Sequence, residues 1–138
     1  MPLVKVFETA DADYTDFRVE GDGVQRVCEW ITPESGHHNS IGVAELRNIR
    51  IANYLFGFTD FLFVIGGSVT IVQDSQCHTL VPGQAILIPK GATVTMEIPD
   101  WLRWIYVTDP GNWRDFATAP ERIETMSATF RSDRTGPE

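Results

Sequence analysis

The chain is short of cysteine, of histidine, of positive charge and of long apolar runs, and each shortage removes a class of protein. Two cysteines, Cys28 and Cys77, in 138 residues are too few for a disulfide-stapled scaffold. Both lie in apolar-alternating stretches, so both are expected as buried free thiols. Eleven Lys and Arg against nineteen Asp and Glu leave a net charge of −8, with the basic residues scattered along the chain. Phosphate backbones require a concentrated basic face, so no nucleic-acid partner is expected. No apolar run approaches the ~20 residues that cross a bilayer, and no basic-then-apolar leader opens the chain. The expectation is a cytoplasmic protein with no membrane partner. Of three histidines, His37 and His38 are adjacent and His78 stands apart. An adjacent pair without a third ligand makes a weak metal site.

What is present is a series of short β-branched and aromatic runs punctuated by Gly, Pro and Asp, the pattern of a compact all-β meander. At 138 residues the chain is expected to form one domain. Residues 1–20 read as an N-terminal arm or edge strand carrying Val4, Val6, Phe7, Tyr14, Phe17 and Val19. Residues 21–116 form the main domain, and 117–138 a polar tail with one short helix around Pro120 to Met126. Within the domain, Gly21-Asp22-Gly23 turns into a strand over 24–31, and the Gly/Ser/Pro-rich stretch 32–42 is a loop. Further strands are expected over 43–56, 61–72, 84–88, 93–98 and 102–107, with a hairpin turn at Asp74-Ser75-Gln76 leading into one that ends at Val81.

The spacing in the middle of the chain carries a resemblance. Gly83, Pro89 and Gly91 follow the second cupin signature, G-x5-P-x-G-x2-H, and Asp60 stands seven residues before Gly67, at the place of the first signature's glutamate. The chain therefore resembles a cupin, which implies an antiparallel β-barrel of the double-stranded β-helix or jelly-roll type. Cupins usually hold a metal on three histidines and a glutamate. Here Tyr54-Leu55-Phe56 replaces H-x-H, and Val94 replaces the last histidine, so no metal and no other cofactor is expected. The stretch 97–113, with Tyr106-Val107 and Pro110 to Trp113, taken with Ile88 to Gly91, is similar to the cupin domain of the ethanolamine-utilisation protein EutQ. No glycine loop followed by lysine is present to cradle a phosphate, so acetate-kinase activity is not expected to follow from that resemblance.

The resemblance points Asp60 into the barrel, where desolvation raises a carboxyl pKa and makes the group a usable acid or base. The bland reading is a structural carboxylate fixed by main-chain amides or by Arg50. Tyr54 is a candidate donor from the wall, against simple cavity filling. If Tyr54 and Phe56 face inward, period-two alternation carries Arg50 and Asn48 inward with them, to orient a ligand oxygen. A bulge reverses that assignment. His37 and His38 are candidates for a loop folded over the pocket, His38 as a catalytic group and His37 as a binding one. Phe56, Met96, Trp104 and Tyr106 are expected as an apolar lining, which favours a partly apolar or aromatic small molecule.

Three functions follow: a metal-independent isomerase, cyclase or lyase using proton transfer, a non-catalytic binding or accessory cupin, or a metal cupin drawing on His37, His38 and Asp60. Cupins commonly pair through sheet faces and N-terminal strands, so the resemblance also implies a homodimer.

Overall fold

The fold is taken from a computed structural model, which describes residues 3–17, 23–120 and 122–126. Among the described residues nine strands form one antiparallel network: β1 Thr15–Phe17, β2 Val24–Ile31, β3 Ser40–Leu55, β4 Thr59–Gly67, β5 Val69–Gln73, β6 Gln76–Leu80, β7 Ala85–Ile88, β8 Thr93–Asp109 and β9 Arg122–Thr125. Their order is β1-β2-β3-β8-β4-β7, with the β5–β6 hairpin joined to β8 and β9 joined to β3. The all-β class and the cupin-type barrel expected from the sequence are thus present. Val19, and all of the turn 21–23 but Gly23, lie outside the described residues.

Two long strands organise the barrel. β8 runs from Thr93 to Asp109 without interruption, where two shorter strands were expected, and pairs with β3, β4 and β5. Val94, Met96, Ile98, Leu102, Trp104, Tyr106 and Thr108 are buried along it, the period-two pattern of a strand with one face on a core. β3 shows the same habit, but its phase changes twice. Ala44 and Leu46 are buried at even positions, Ile49 and Ile51 at odd ones, and Phe56, just past its end, at an even one. The register against β8 slips between Arg47 and Ile49 and again between Ile51 and Tyr54. Asn48 and Asn53, at these slips, have φ of 53° and 48°, a left-handed conformation that asparagine tolerates better than most residues. Each slip moves the side chains that follow to the opposite face.

This phase change corrects the expectation for Arg50. Instead of entering the barrel it bridges Glu97 on β8 and Glu124 on β9, at 3.1 Å each. The tail also departs from expectation. Residues 122–125 are a strand paired with Ile49 to Ala52 of β3, where a short helix was predicted. The unsatisfied main-chain groups along that part of β3 offer a ladder, and ladder pairing overrides the local preference of so short a segment.

At the far end of β3, Glu45 is buried between Arg26 at 2.6 Å and Arg103 at 2.8 Å. Burial pushes the Glu45 carboxyl up, but the two guanidinium hydrogen bonds outweigh it and hold the pKa below the ordinary value. Arg26 also lies over the Tyr14 ring at 4.5 Å, so the same cluster fastens the N-terminal segment to β2. Of the two thiols, both free, Cys28 is buried as expected, whereas Cys77 is exposed on the outer face of the β5–β6 hairpin.

Candidate functional site

A cavity of about 260 Å³ lies inside the barrel. Strand alternation supplies its walls: Ala44, Leu46, Ile51 and Tyr54 from β3, Asp60 and Leu62 from β4, and Met96, Trp104, Tyr106 and Thr108 from β8. Phe56 and Phe58, in the turn between β3 and β4, close one side. An aromatic chain runs along that side, with ring centroids of Tyr54 and Phe56 at 4.8 Å, Phe56 and Phe58 at 5.5 Å, and Phe58 and Trp113 at 5.5 Å. The mouth is crossed by the segment after β8. Thr118 Oγ1 donates to the Leu55 carbonyl at 2.6 Å, and Thr118, Pro120 and Ile123, together with Gln25 and Val27 of β2, complete the lining.

Polar groups are few in this wall and they cluster. Asp60 stands opposite Thr108 in the β4–β8 ladder, and Tyr106 is two residues before Thr108 on the same face. Asp60 Oδ1, Tyr106 Oη and Thr108 Oγ1 are all buried without a hydrogen-bond partner. Buried polar atoms are ordinarily paired, so three orphans on one cavity wall mark a place prepared for a ligand or water. Burial alone pushes the Asp60 carboxyl up to about 8. Burial likewise raises both phenols, and the Asp60 charge adds to each. A main-chain hydrogen bond at Thr118 partly offsets the rise at Tyr54. Gly42 is required here, because a Cβ on it would come 2.6 Å from Tyr106 Oη and 2.1 Å from the Cys28 carbonyl.

The cavity therefore brings together Asp60, Tyr54, Phe56, Met96, Trp104 and Tyr106 from the residues expected at the site. Arg50 and Asn48 are not among its lining, for the register reason given above. His37 and His38 are exposed and away from the wall, in the turn before β3, where the His38 carbonyl accepts a hydrogen bond from Gly111 N–H. Sequence reasoning missed Thr108, Phe58, Trp113 and the tail residues. Thr108 was reachable by continuing the alternation from Trp104 and Tyr106 past the expected strand end at Val107.

The donor set does not fit the cupin metal. The positions that would carry its histidines hold Tyr54, Phe56 and Val94, and the described wall offers Asp60 as its single carboxylate with no imidazole or thiolate. Among the described residues there is no group of three or more His, Cys, Asp or Glu able to hold a metal ion.

The family model for ethanolamine utilisation protein EutQ matches residues 4–115. The chain belongs to the EutQ family. It is 29% identical over 113 residues to the acetate kinase EutQ of Clostridioides difficile, covering 82% of this chain and 69% of that protein. Against the acetate kinase EutQ of Salmonella typhimurium it is 22% identical, covering 80% of this chain. It spans only about half of that longer protein, 48%. The crystal structure of the putative Salmonella EutQ superposes with a TM-score of 0.70 at 20% identity, over 79% of this chain and 88% of that one. The same fold recurs in the polyketide cyclase RemF of Streptomyces resistomycificus, with a TM-score of 0.61 at 16% identity, over 89% of this chain and 85% of that one. Within the EutQ family this chain is thus a cupin barrel whose polar groups gather around Asp60.

Proposed function

We propose that this EutQ-family cupin is a metal-independent enzyme that moves protons on a small, partly aromatic organic molecule held in the barrel, by isomerase, cyclase or lyase chemistry. The observation that carries the proposal is the unpaired Asp60 Oδ1 in an aromatic cavity. A carboxyl with a pKa of about 8 exists in both protonation states near neutrality, which suits a general acid or base. Tyr54 and Tyr106 stay protonated, Tyr54 serving as a hydrogen-bond donor and Tyr106 able to donate or accept. Trp104, Met96 and Phe56 exclude water and hold the apolar part of the substrate. The cyclase named among proteins of this fold is consistent with such chemistry.

Phosphoryl transfer is not proposed for this cavity. It relies on cationic groups around the transferred phosphate, and among the described residues the lining includes no Lys or Arg. The same reading has the protein act as a homodimer, through the outer face of β4 and β7 where Phe61, Phe63 and Leu87 are exposed.

Hydrogen exchange at carbon tests the chemistry directly. Small aryl ketones such as phenylacetone, incubated with the protein in D2O and followed by proton NMR, are expected to exchange their acidic C–H protons faster than in buffer. The Asp60→Asn protein is expected to lose that acceleration by about 100-fold or more. Equal rates for the two proteins would remove Asp60 as the acid/base and leave a binding protein.

A further inference from the structure

We propose that the cavity recognises a small organic ammonium ion, whose N–H groups are held by Asp60 Oδ1, Tyr106 Oη and Thr108 Oγ1 and whose positive charge faces the aromatic wall. This rests on the proposed use of the Asp60 cavity and goes beyond it by naming the charge of the ligand.

Three observations converge. The first is charge. Among the described residues no Lys, Arg or His lines the cavity beside Asp60, and the arginines paired in the described structure are engaged with carboxylates elsewhere. A buried acid lacking a counter-ion is costly to ionise, and a ligand that brings the missing positive charge removes that cost. The second is the count and kind of orphan atoms. An R–NH3+ group presents three N–H donors, and each of the three unpartnered oxygens accepts one. The third is the wall. Tyr54, Phe56, Phe58, Trp104 and Trp113 place aromatic rings in a cavity whose remaining lining is mostly aliphatic, with Gln25 and Thr118 the polar side chains outside the Asp60 cluster. Aromatic faces attract desolvated cations, and anions gain nothing from them. At about 260 Å³ the space suits a one-ring or short-chain amine.

The proton balance makes the proposal sharp. Other ionisable groups within electrostatic reach are Tyr54 on β3, Cys28 and Glu29 on β2, and Arg114 after β8. Glu29 and Arg114 form an ion pair, and so add little net charge. Asp60 carries a proton below a pH of about 8 in the empty cavity, so an ammonium ion that pairs with the carboxylate must displace it to solvent. Its affinity then climbs by about tenfold per pH unit up to that midpoint. A neutral ligand behaves oppositely, since it accepts a hydrogen bond from the protonated acid and weakens above the midpoint.

Calorimetric titration of the full chain with benzylammonium chloride, with benzyl alcohol of nearly the same shape, and with sodium benzoate, between about pH 6 and pH 8.5 separates these cases. We expect benzylammonium to bind at least tenfold tighter than benzyl alcohol at the upper pH, to gain affinity with pH, and to release close to one proton in buffers of different ionisation enthalpy. Benzoate is expected not to bind. Asp60→Asn should abolish the preference for ammonium while still binding the alcohol, and the near-isosteric Thr108→Val should weaken benzylammonium about tenfold. Equal affinity for alcohol and ammonium, or affinity for ammonium that is flat or falls with pH, overturns the proposal. Ammonium binding without carbon-bound proton exchange leaves this inference standing and removes the catalytic reading. Exchange without ammonium preference does the reverse.

Discussion

Asp60 governs the chemistry at the scale of the residue, and its burial has a thermodynamic consequence that needs no substrate. In the folded protein it holds a proton up to a pH of about 8, while in the unfolded chain it releases that proton near its ordinary value of 3.8. Between those values the folded state binds more protons than the unfolded one, so stability falls as pH rises and levels off above about 8. Asp60→Asn removes that slope. Urea unfolding at about pH 5 and pH 9 should show the variant gaining up to about 4 kcal/mol on the wild type between the two. A slope common to both proteins would place the titrating group elsewhere. Residue by residue, much of the site was legible. Tyr54, Asp60 and Phe56 stand on the wall because the glycines and proline around them keep the spacing of a cupin. Arg50 was misread because one left-handed asparagine, Asn53, inverts the strand between it and Tyr54. Nothing in an alternating sequence marks which asparagine leaves the extended region, since the choice is made by the pairing of β3 with its neighbours β2, β8 and β9.

The strap after β8 matters most at the scale of the element. Its anchorage depends on Gly57, where a Cβ would come 1.8 Å from the Phe116 carbonyl oxygen. Gly57→Ala must therefore push the segment 113–118 outward, and Trp113 and Thr118 leave the cavity with it. Water then reaches Asp60, and its midpoint is expected to drop from about 8 toward the ordinary carboxylate range, read by carboxyl NMR shifts. A loss of about 2 kcal/mol in stability should accompany it. An unchanged midpoint would show that the strap does not keep water from the acid. This element was the least legible in the chain. Residues 117–126 are polar and contain Pro120, and only the unpaired part of β3 turns them into a wall of the site. The β2, β3 and β4–β7 segments, whose turns are written in Gly, Pro and Asp, were placed closely from sequence.

The outer surface of the whole molecule is unevenly finished. Leu87 is 60% exposed, and Phe61 and Phe63 about 40%, on adjoining strands β4 and β7. These side chains alternate with the ones that line the barrel, so the strands are apolar on both faces, as expected of a sheet covered on both. A second copy is the cover proposed above. Light scattering at micromolar concentration is expected to give a dimer for the wild type and a monomer for Phe63→Lys, with the far-ultraviolet circular dichroism unchanged. A monomeric wild type would remove the homodimer from the account.

The long strand β8 also dictates when the protein comes into being. Its partners β3, β4 and β5 lie between residues 40 and 73, whereas β8 begins at Thr93, so most contacts that close the barrel span distant parts of the chain. Such contacts form slowly, because loop-closure entropy is lost before pairing repays it. During synthesis β3 can pair with β2 and β4 with β7, but the edges of both that face β8 stay open until residue 109 has left the ribosome. The nascent chain is thus exposed to aggregation over that interval, in which a holdase chaperone would have its clearest opportunity.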